Sequence, residues 1–440
     1  MTNKERMALA EWAKDEALKR GADQTAVTIS KDRSVEIEFR DKKVDKLVES
    51  TQNSLSLNIY VQNKYSSHST NDLRKDSLAK FIEEAVSATK YLTEDEYRAL
   101  PDPKFYPKEK PADFKILDPY YSRIESTDRM KWAEKIERAT LAQSDKILST
   151  TAGYSDVYFQ TIKLHSNGFS GEKEGTSFSA GTEVTVKDGA GGRPSDWYYA
   201  RSRFYKDLPD PETLAKEAVQ RAVSKIGQKK IESGKYVMLV ENRVSSRIIY
   251  GLLRPMFGES LQQKSSYLEG MLGKKIASEA LTIIDDPFIE KGLGSRHFDS
   301  EGLAAKRRVM IDKGELKYYF IDNYYSKKLN MDPTTGSPSN LIIESGTRSR
   351  EEMLKDIKKG IYVTSFIGGN SNPTTGDFST GIIGHLVEDG KLVQPIHEMN
   401  ITGNGKEFWK QLVEVGNDPY IYSSWRRPSM LFEGIDFSGL

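Results

Sequence analysis

The histidines are the first test of what hydrolytic chemistry this chain can hold. There are five, His68, His165, His297, His385 and His397, and none lies three or four residues from another. No helical turn can therefore present two imidazoles on one face, as zinc hydrolases require. His397-Glu398 is the tempting pair. The second histidine of a His-Glu-x-x-His helix would fall at Ile401, however, and Pro395 with Val393 and Ile396 flanking it argues for an extended segment. Cysteine is absent, which excludes thiol nucleophiles, thiolate ligands and disulfides together. The serine elbow Gly-x-Ser-x-Gly is nowhere present. Ser77-Leu78-Ala79-Lys80 spells Ser-x-x-Lys, but on an ordinary amphipathic helix. Gly403-Asn404-Gly405-Lys406 resembles the end of a phosphate loop, yet Asn400 replaces the earlier glycine and Glu407 the hydroxyl residue. The acid pairs Asp285-Asp286 and Asp299/Glu301 read as turns.

Charge narrows the partners further. Lys and Arg number 65 against 64 Asp and Glu, interspersed along the chain. The basic clusters are short, Lys306-Arg307-Arg308, Lys358-Lys359 and Arg426-Arg427, whereas tracking phosphates needs many cations on one face. Neither nucleic acid nor an anionic membrane is expected as a partner. Absent cysteine, an amino terminus without an apolar stretch, and no run of 18 apolar residues predict a cytoplasmic protein outside the membrane.

The elements that must position any site form an α+β pattern, because strands come in runs. One unit, 1–95, opens with a helix from about Lys4 to Arg20 that stops at Gly21. Strands follow in which Val35, Ile37 and Phe39, then Leu55, Leu57, Ile59 and Val61, alternate with polar residues. A second helix carries Leu78, Phe81, Ile82, Ala85 and Val86 on one face. Residues 96–126 read as a linker, since Pro101, Pro103, Pro107, Pro111 and Pro119 interrupt helix and ladder alike. The order then restarts over 127–230, with a last helix opened by Asp210-Pro211. A duplicated helix-plus-antiparallel-sheet scaffold is thus followed, over 235–440, by a strand-rich domain. Its elements include a helix at 244–257, hairpins turning at Asp312-Lys313-Gly314 and Asp389-Gly390, and shorter helices at Glu351 to Lys359 and Glu407 to Val415.

Several segments, taken in order, resemble the TldD/PmbA family, also called the modulator-of-gyrase family, in its PmbA (TldE) branch. They are Lys264-Ser265-Ser266-Tyr267-Leu268; Ile276 to Ile283 with Asp285-Asp286-Pro287; Asn372-Pro373-Thr374-Thr375-Gly376-Asp377-Phe378-Ser379-Thr380-Gly381; Ile401-Thr402-Gly403-Asn404; and Val415-Gly416-Asn417-Asp418. The resemblance implies a cytoplasmic zinc protease of two related subunits that trims or degrades unfolded peptides and leader peptides. In that family the catalytic subunit carries a His-Glu-x-x-x-His helix and a cysteine near the carboxyl terminus. Here Ile249, Tyr250 and Arg254 stand where the motif is placed, and Tyr422-Ser423-Ser424-Trp425 stands in the cysteine's region. Neither an aliphatic nor a guanidinium offers zinc a lone pair. The resemblance therefore implies a silent subunit with no catalytic residue, metal or cofactor of its own. Zinc is expected in a TldD-like catalytic paralogue that forms a hetero-oligomer with it, with a homodimer when the chain is alone.

Gly376, Asp377, Asn404, Gly416, Asn417 and Asp418 have the composition of turns, and contact with peptide in a cavity is the alternative role for them. Two other readings stay open. One is a non-enzymatic protein-binding modulator of a toxin or DNA gyrase; the other is a self-sufficient homo-oligomeric hydrolase.

Overall fold

Two copies of one unit build a single sheet. The computed structural model describes residues 1–109, 112–189 and 191–440; Pro111 of the expected linker lies outside them. The first copy runs α1 (Asn3–Lys19), β1 (Gln24–Arg40), β2 (Lys43–Val61), β3 (Lys64–Thr70) and α2 (Lys75–Thr89). The second runs α3 (Ser126–Leu141), β4 (Ile147–His165), β5 (Ser170–Val186), β6 (Ser195–Ser202) and α4 (Pro211–Ser224). Because β1 pairs antiparallel with β4, the copies fuse into one six-stranded sheet, β3-β2-β1-β4-β5-β6. Alternation in the strands sends Ile29, Leu57 and Ile59 against Ala13, Leu78 and Ile82 of the first helix pair. Ile37, Tyr154 and Phe178 meet Ala133, Ile136 and Leu214 of the second pair in the same way. Asp210 caps α4 by accepting from the Thr213 amide at 2.9 Å.

The proline-rich segment is packed rather than free. Leu100, Tyr106, Phe114, Tyr121 and Ile124 are buried. Main-chain oxygens of Phe105 and Phe114 accept from the amides of Ala304 at 2.8 Å and Lys291 at 2.7 Å in the carboxyl half. It straps the two halves together.

The carboxyl half opens with β7 (Gly234–Val240), α5 (Ser246–Leu253) and α6 (Gly258–Gln262). Next come β8 (Ile283–Asp285), β9 (Arg308–Asp312), β10 (Glu315–Leu316), α7 (Asn323–Leu329), β11 (Leu341–Ile343) and α8 (Arg350–Lys355). It ends with β12 (Lys359–Ser371), β13 (Asp377–Glu388), β14 (Lys391–Asn404), α9 (Gly405–Phe408), β15 (Leu412–Val415), β16 (Trp425–Arg426) and β17 (Met430–Ser438). Strand β14 pairs with β13 on one side and β17 on the other, so β14-β13-β12-β7-β17 closes on itself, with β15 added beside β17. A smaller sheet, β10-β9-β8-β11-β16, packs nearby. The main core fills this half, with Met238, Ile361, Met399, Phe408, Phe432 and Phe437 all buried. The α+β class is as the sequence predicts. Among the described residues no helix is long and apolar enough to cross a membrane.

Three expected helices differ, and the one expected from Glu351 to Lys359 ends at Lys355, with Lys359 opening β12. The helix predicted at 244–257 is α5 alone, because Pro255 has no amide to donate and the chain tightens into a 3₁₀ turn at Arg254–Met256. The helix expected from Glu407 to Val415 is one turn, α9, that gives way to strand β15. Leu412 and Val415 pair with Phe432 and Met430 of β17, and that ladder outweighs local helix preference.

Candidate functional site

Helix α5 buries Ile248, Ile249, Leu252 and Leu253 and turns its other face outward. That outward stripe, Arg247, Tyr250, Gly251 and Arg254, follows the i, i+3, i+4, i+7 rule for one helix face. It forms one wall of a cavity of about 400 Å³, within the range of small-molecule sites. The tip of the β12–β13 hairpin, from Gly369 to Pro373, makes the facing wall, and Tyr267, Phe378, Phe408 and Trp409 supply an aromatic lining.

Local chemistry fixes this geometry. The Tyr267 amide donates to the Pro373 carbonyl at 3.0 Å, and the Gly405 amide to the Gly376 carbonyl at 2.8 Å. Gly376 sits at φ +91°, where a side chain is strained, with Tyr267 against it. At Gly405 a Cβ would lie 2.6 Å from the Tyr267 hydroxyl, so only glycine lets the ring lie over α9. Asp377 accepts from the Thr375 hydroxyl at 2.6 Å and the Asn404 amide at 2.7 Å. Those bonds hold its carboxyl below the usual range. Asn404 also caps α9, accepting from the Lys406 amide at 3.0 Å. Burial pushes the Tyr267 phenol up, so it stays protonated. Arg254 lies 3.4 Å from the Tyr250 hydroxyl, and Arg247 donates to the Gly368 carbonyl at 2.8 Å.

The sequence-derived positions separate cleanly. Tyr250 and Arg254 face the cavity, but Ile249 is fully buried in the core and does not line it. Gly376 lines the cavity, while Asp377 and Asn404 brace its rim from outside. Gly416, Asn417 and Asp418 lie elsewhere. Asp418 accepts from the Ser429 amide and hydroxyl at 2.9 and 2.8 Å, and the Asn417 amide donates to the Arg348 carbonyl at 2.8 Å. Tyr422, Ser423 and Ser424 line a different, smaller cavity. Arg247, Phe408 and Trp409 were missed. The three-residue step from Arg247 to Tyr250 was the available signal for the first.

The donor set decides what the cavity can hold. Its lining contains arginines, aromatics, amides and hydroxyls but no imidazole or carboxylate, the groups that with thiolates bind zinc. Among the described residues no three His, Asp or Glu side chains gather where they could hold a metal ion. These residues do not fit a zinc ion. His385, buried, has its Nε2 2.9 Å from the Ser224 carbonyl, and His397 lies in strand β14 beside Glu398.

The repeat-built sheet and closed strand-rich half agree with comparisons of the whole chain. Residues 26–89, 119–226 and 233–439 match the PmbA/TldA metallopeptidase domain 1, central domain and C-terminal domain families. The chain belongs to the PmbA/TldD metallopeptidase family. It is similar to metalloprotease PmbA of Escherichia coli O157:H7, 29% identical over 95% of this chain and 93% of that protein. A crystal structure from Bacteroides thetaiotaomicron, of a candidate modulator of DNA gyrase, is 41% identical and superimposes with a TM-score of 0.97 over 100% of both chains. TldE from Thermococcus kodakarensis shares the fold at 22% identity and a TM-score of 0.86, covering 98% of this chain and 100% of that one.

Proposed function

We propose that this chain is the metal-free, TldE-like subunit of a cytoplasmic zinc protease assembly. A TldD-like paralogue supplies the metal, and this chain shapes the chamber that holds unfolded peptides or leader peptides. One observation carries the reading: the exposed face of α5 presents Arg247, Tyr250, Gly251 and Arg254 to an aromatic cavity with no imidazole or carboxylate on its lining. An apolar cavity rimmed by guanidiniums suits an extended peptide with an apolar side chain and an acidic group. Main-chain pairing at a strand edge would supply the rest of the grip. The test is peptide cleavage by the purified chain, alone and mixed with a paralogue bearing the His-Glu-x-x-x-His helix. Cleavage only in the mixture is expected; cleavage by this chain alone after chelation would overturn the reading. Relatives named as modulators of DNA gyrase favour a second reading, a non-enzymatic protein binder. Capture of gyrase by this chain with no paralogue present would support it.

A further inference from the structure

A second cavity, of about 210 Å³, lies where the end of β6 meets the carboxyl half. It is too small for drug-sized ligands, and its lining is rich in positive charge. Arg203, 5% exposed, donates only to main-chain carbonyls, those of Thr176 at 2.9 Å, Gly292 at 3.3 Å and Leu293. Arg201 lines the same space and makes no hydrogen bond or ion pair with its side chain among the described residues. Close by, Lys173 is likewise without a carboxylate. Burial, then Arg203 and Arg296, pulls its ammonium down to about 8. Burial and Arg201 together pull the Arg203 guanidinium down to about 10. Burying a cation without a counter-charge is costly, and no carboxylate lines this cavity to offset it.

Apart from Leu293, the remaining side chains of the lining carry hydroxyls, those of Ser177, Tyr422, Ser423 and Ser424. Ser423 Oγ accepts from the Trp425 amide at 3.1 Å, which leaves its proton free, and Ser177 and Ser424 complete a ring of hydroxyls. Arg201, Arg203 and nearby Lys173 bring enough positive charge for a dianion, and the hydroxyls can donate to more oxygens than the two a carboxylate offers.

We propose that this cavity binds a phosphate group, as inorganic phosphate or as a phosphate monoester. The proposal is independent of the metal-free reading of the larger cavity. Titration of the full chain by calorimetry with inorganic phosphate, O-phosphoserine and acetate tests it. Saturable binding of one phosphate compound per chain is expected, the tighter of the two identifying the source, with acetate at least tenfold weaker. Arg201→Gln, at an exposed position, is expected to weaken binding tenfold or more, and Ser424→Ala severalfold, with the fold intact by circular dichroism. No saturation by either phosphate compound overturns the proposal. So does binding unchanged in Arg201→Gln, or acetate binding as tightly as phosphate.

Discussion

Rebuilding the metal motif as Ile249→His, Tyr250→Glu and Arg254→His is expected to damage the core without creating a zinc site. Ile249 is fully buried among Met238, Leu252 and Leu253. Losing its burial costs about 2–3 kcal/mol, and an imidazole with an unsatisfied nitrogen there adds about 1–3 kcal/mol. The sum is about 3–6 kcal/mol, nearly all from one substitution. Tyr250 and Arg254 are exposed, so their replacements contribute within about 0.5 kcal/mol each. Urea unfolding followed by tryptophan fluorescence reads the change, since Trp409 is buried in the same core. Ile249→His alone should reproduce the triple variant's loss, and elemental analysis should find no zinc bound in stoichiometric amount. A triple variant that keeps its midpoint and binds one zinc per chain would refute the assigned orientation of α5.

Three further outcomes follow from buried groups. Asp196 faces Lys225 at 3.1 Å and Arg221 at 3.5 Å, both at the end of α4 in its own half, and Arg243 at 3.1 Å across the seam with the carboxyl half. Asp196→Asn is expected to cost about 3–5 kcal/mol and to open the seam to limited proteolysis. Burial raises the Asp196 carboxyl, but the three cations win and hold it below the ordinary value. Its contribution is therefore present above about pH 4 and lost as pH falls further. Burial holds the His165 imidazole at about 3, so its contribution is complete above about pH 6.5. It declines by about 1.4 kcal/mol per unit as pH falls toward 3, and stability measured against pH in His165→Asn should lose that slope. Gly405→Ala forces Tyr267 to move, at a cost of about 1–3 kcal/mol; a crystal structure of the variant should show the ring displaced and the cavity altered.

The duplicated units were legible because their strands alternate and their helices carry caps such as Asp210-Pro211. That they share one sheet was not, because the pairing of β1 with β4 joins residues more than a hundred positions apart, and local pattern carries no such information. The same limit hid the strap: proline marks 96–126 as non-helical, yet says nothing of Tyr106 packing on His165 with ring centroids 5.6 Å apart. In the site, Tyr250 and Arg254 were found through family resemblance. Ile249 came with them because a motif counted along the chain does not reveal which helix face is buried. Gly376 was legible as a turn, whereas its place beside Tyr267 depends on contact between distant segments.

Zinc content separates a metal-free subunit from a self-sufficient hydrolase. The chain should be purified alone, exposed to excess zinc, dialysed and analysed for metal, then carried through the same steps with a paralogue bearing the His-Glu-x-x-x-His helix. No stoichiometric zinc is expected in the chain alone, and one zinc per pair is expected in the mixture, held by the paralogue. A zinc bound by this chain alone, with anomalous scattering beside Tyr250, would contradict the metal-free reading.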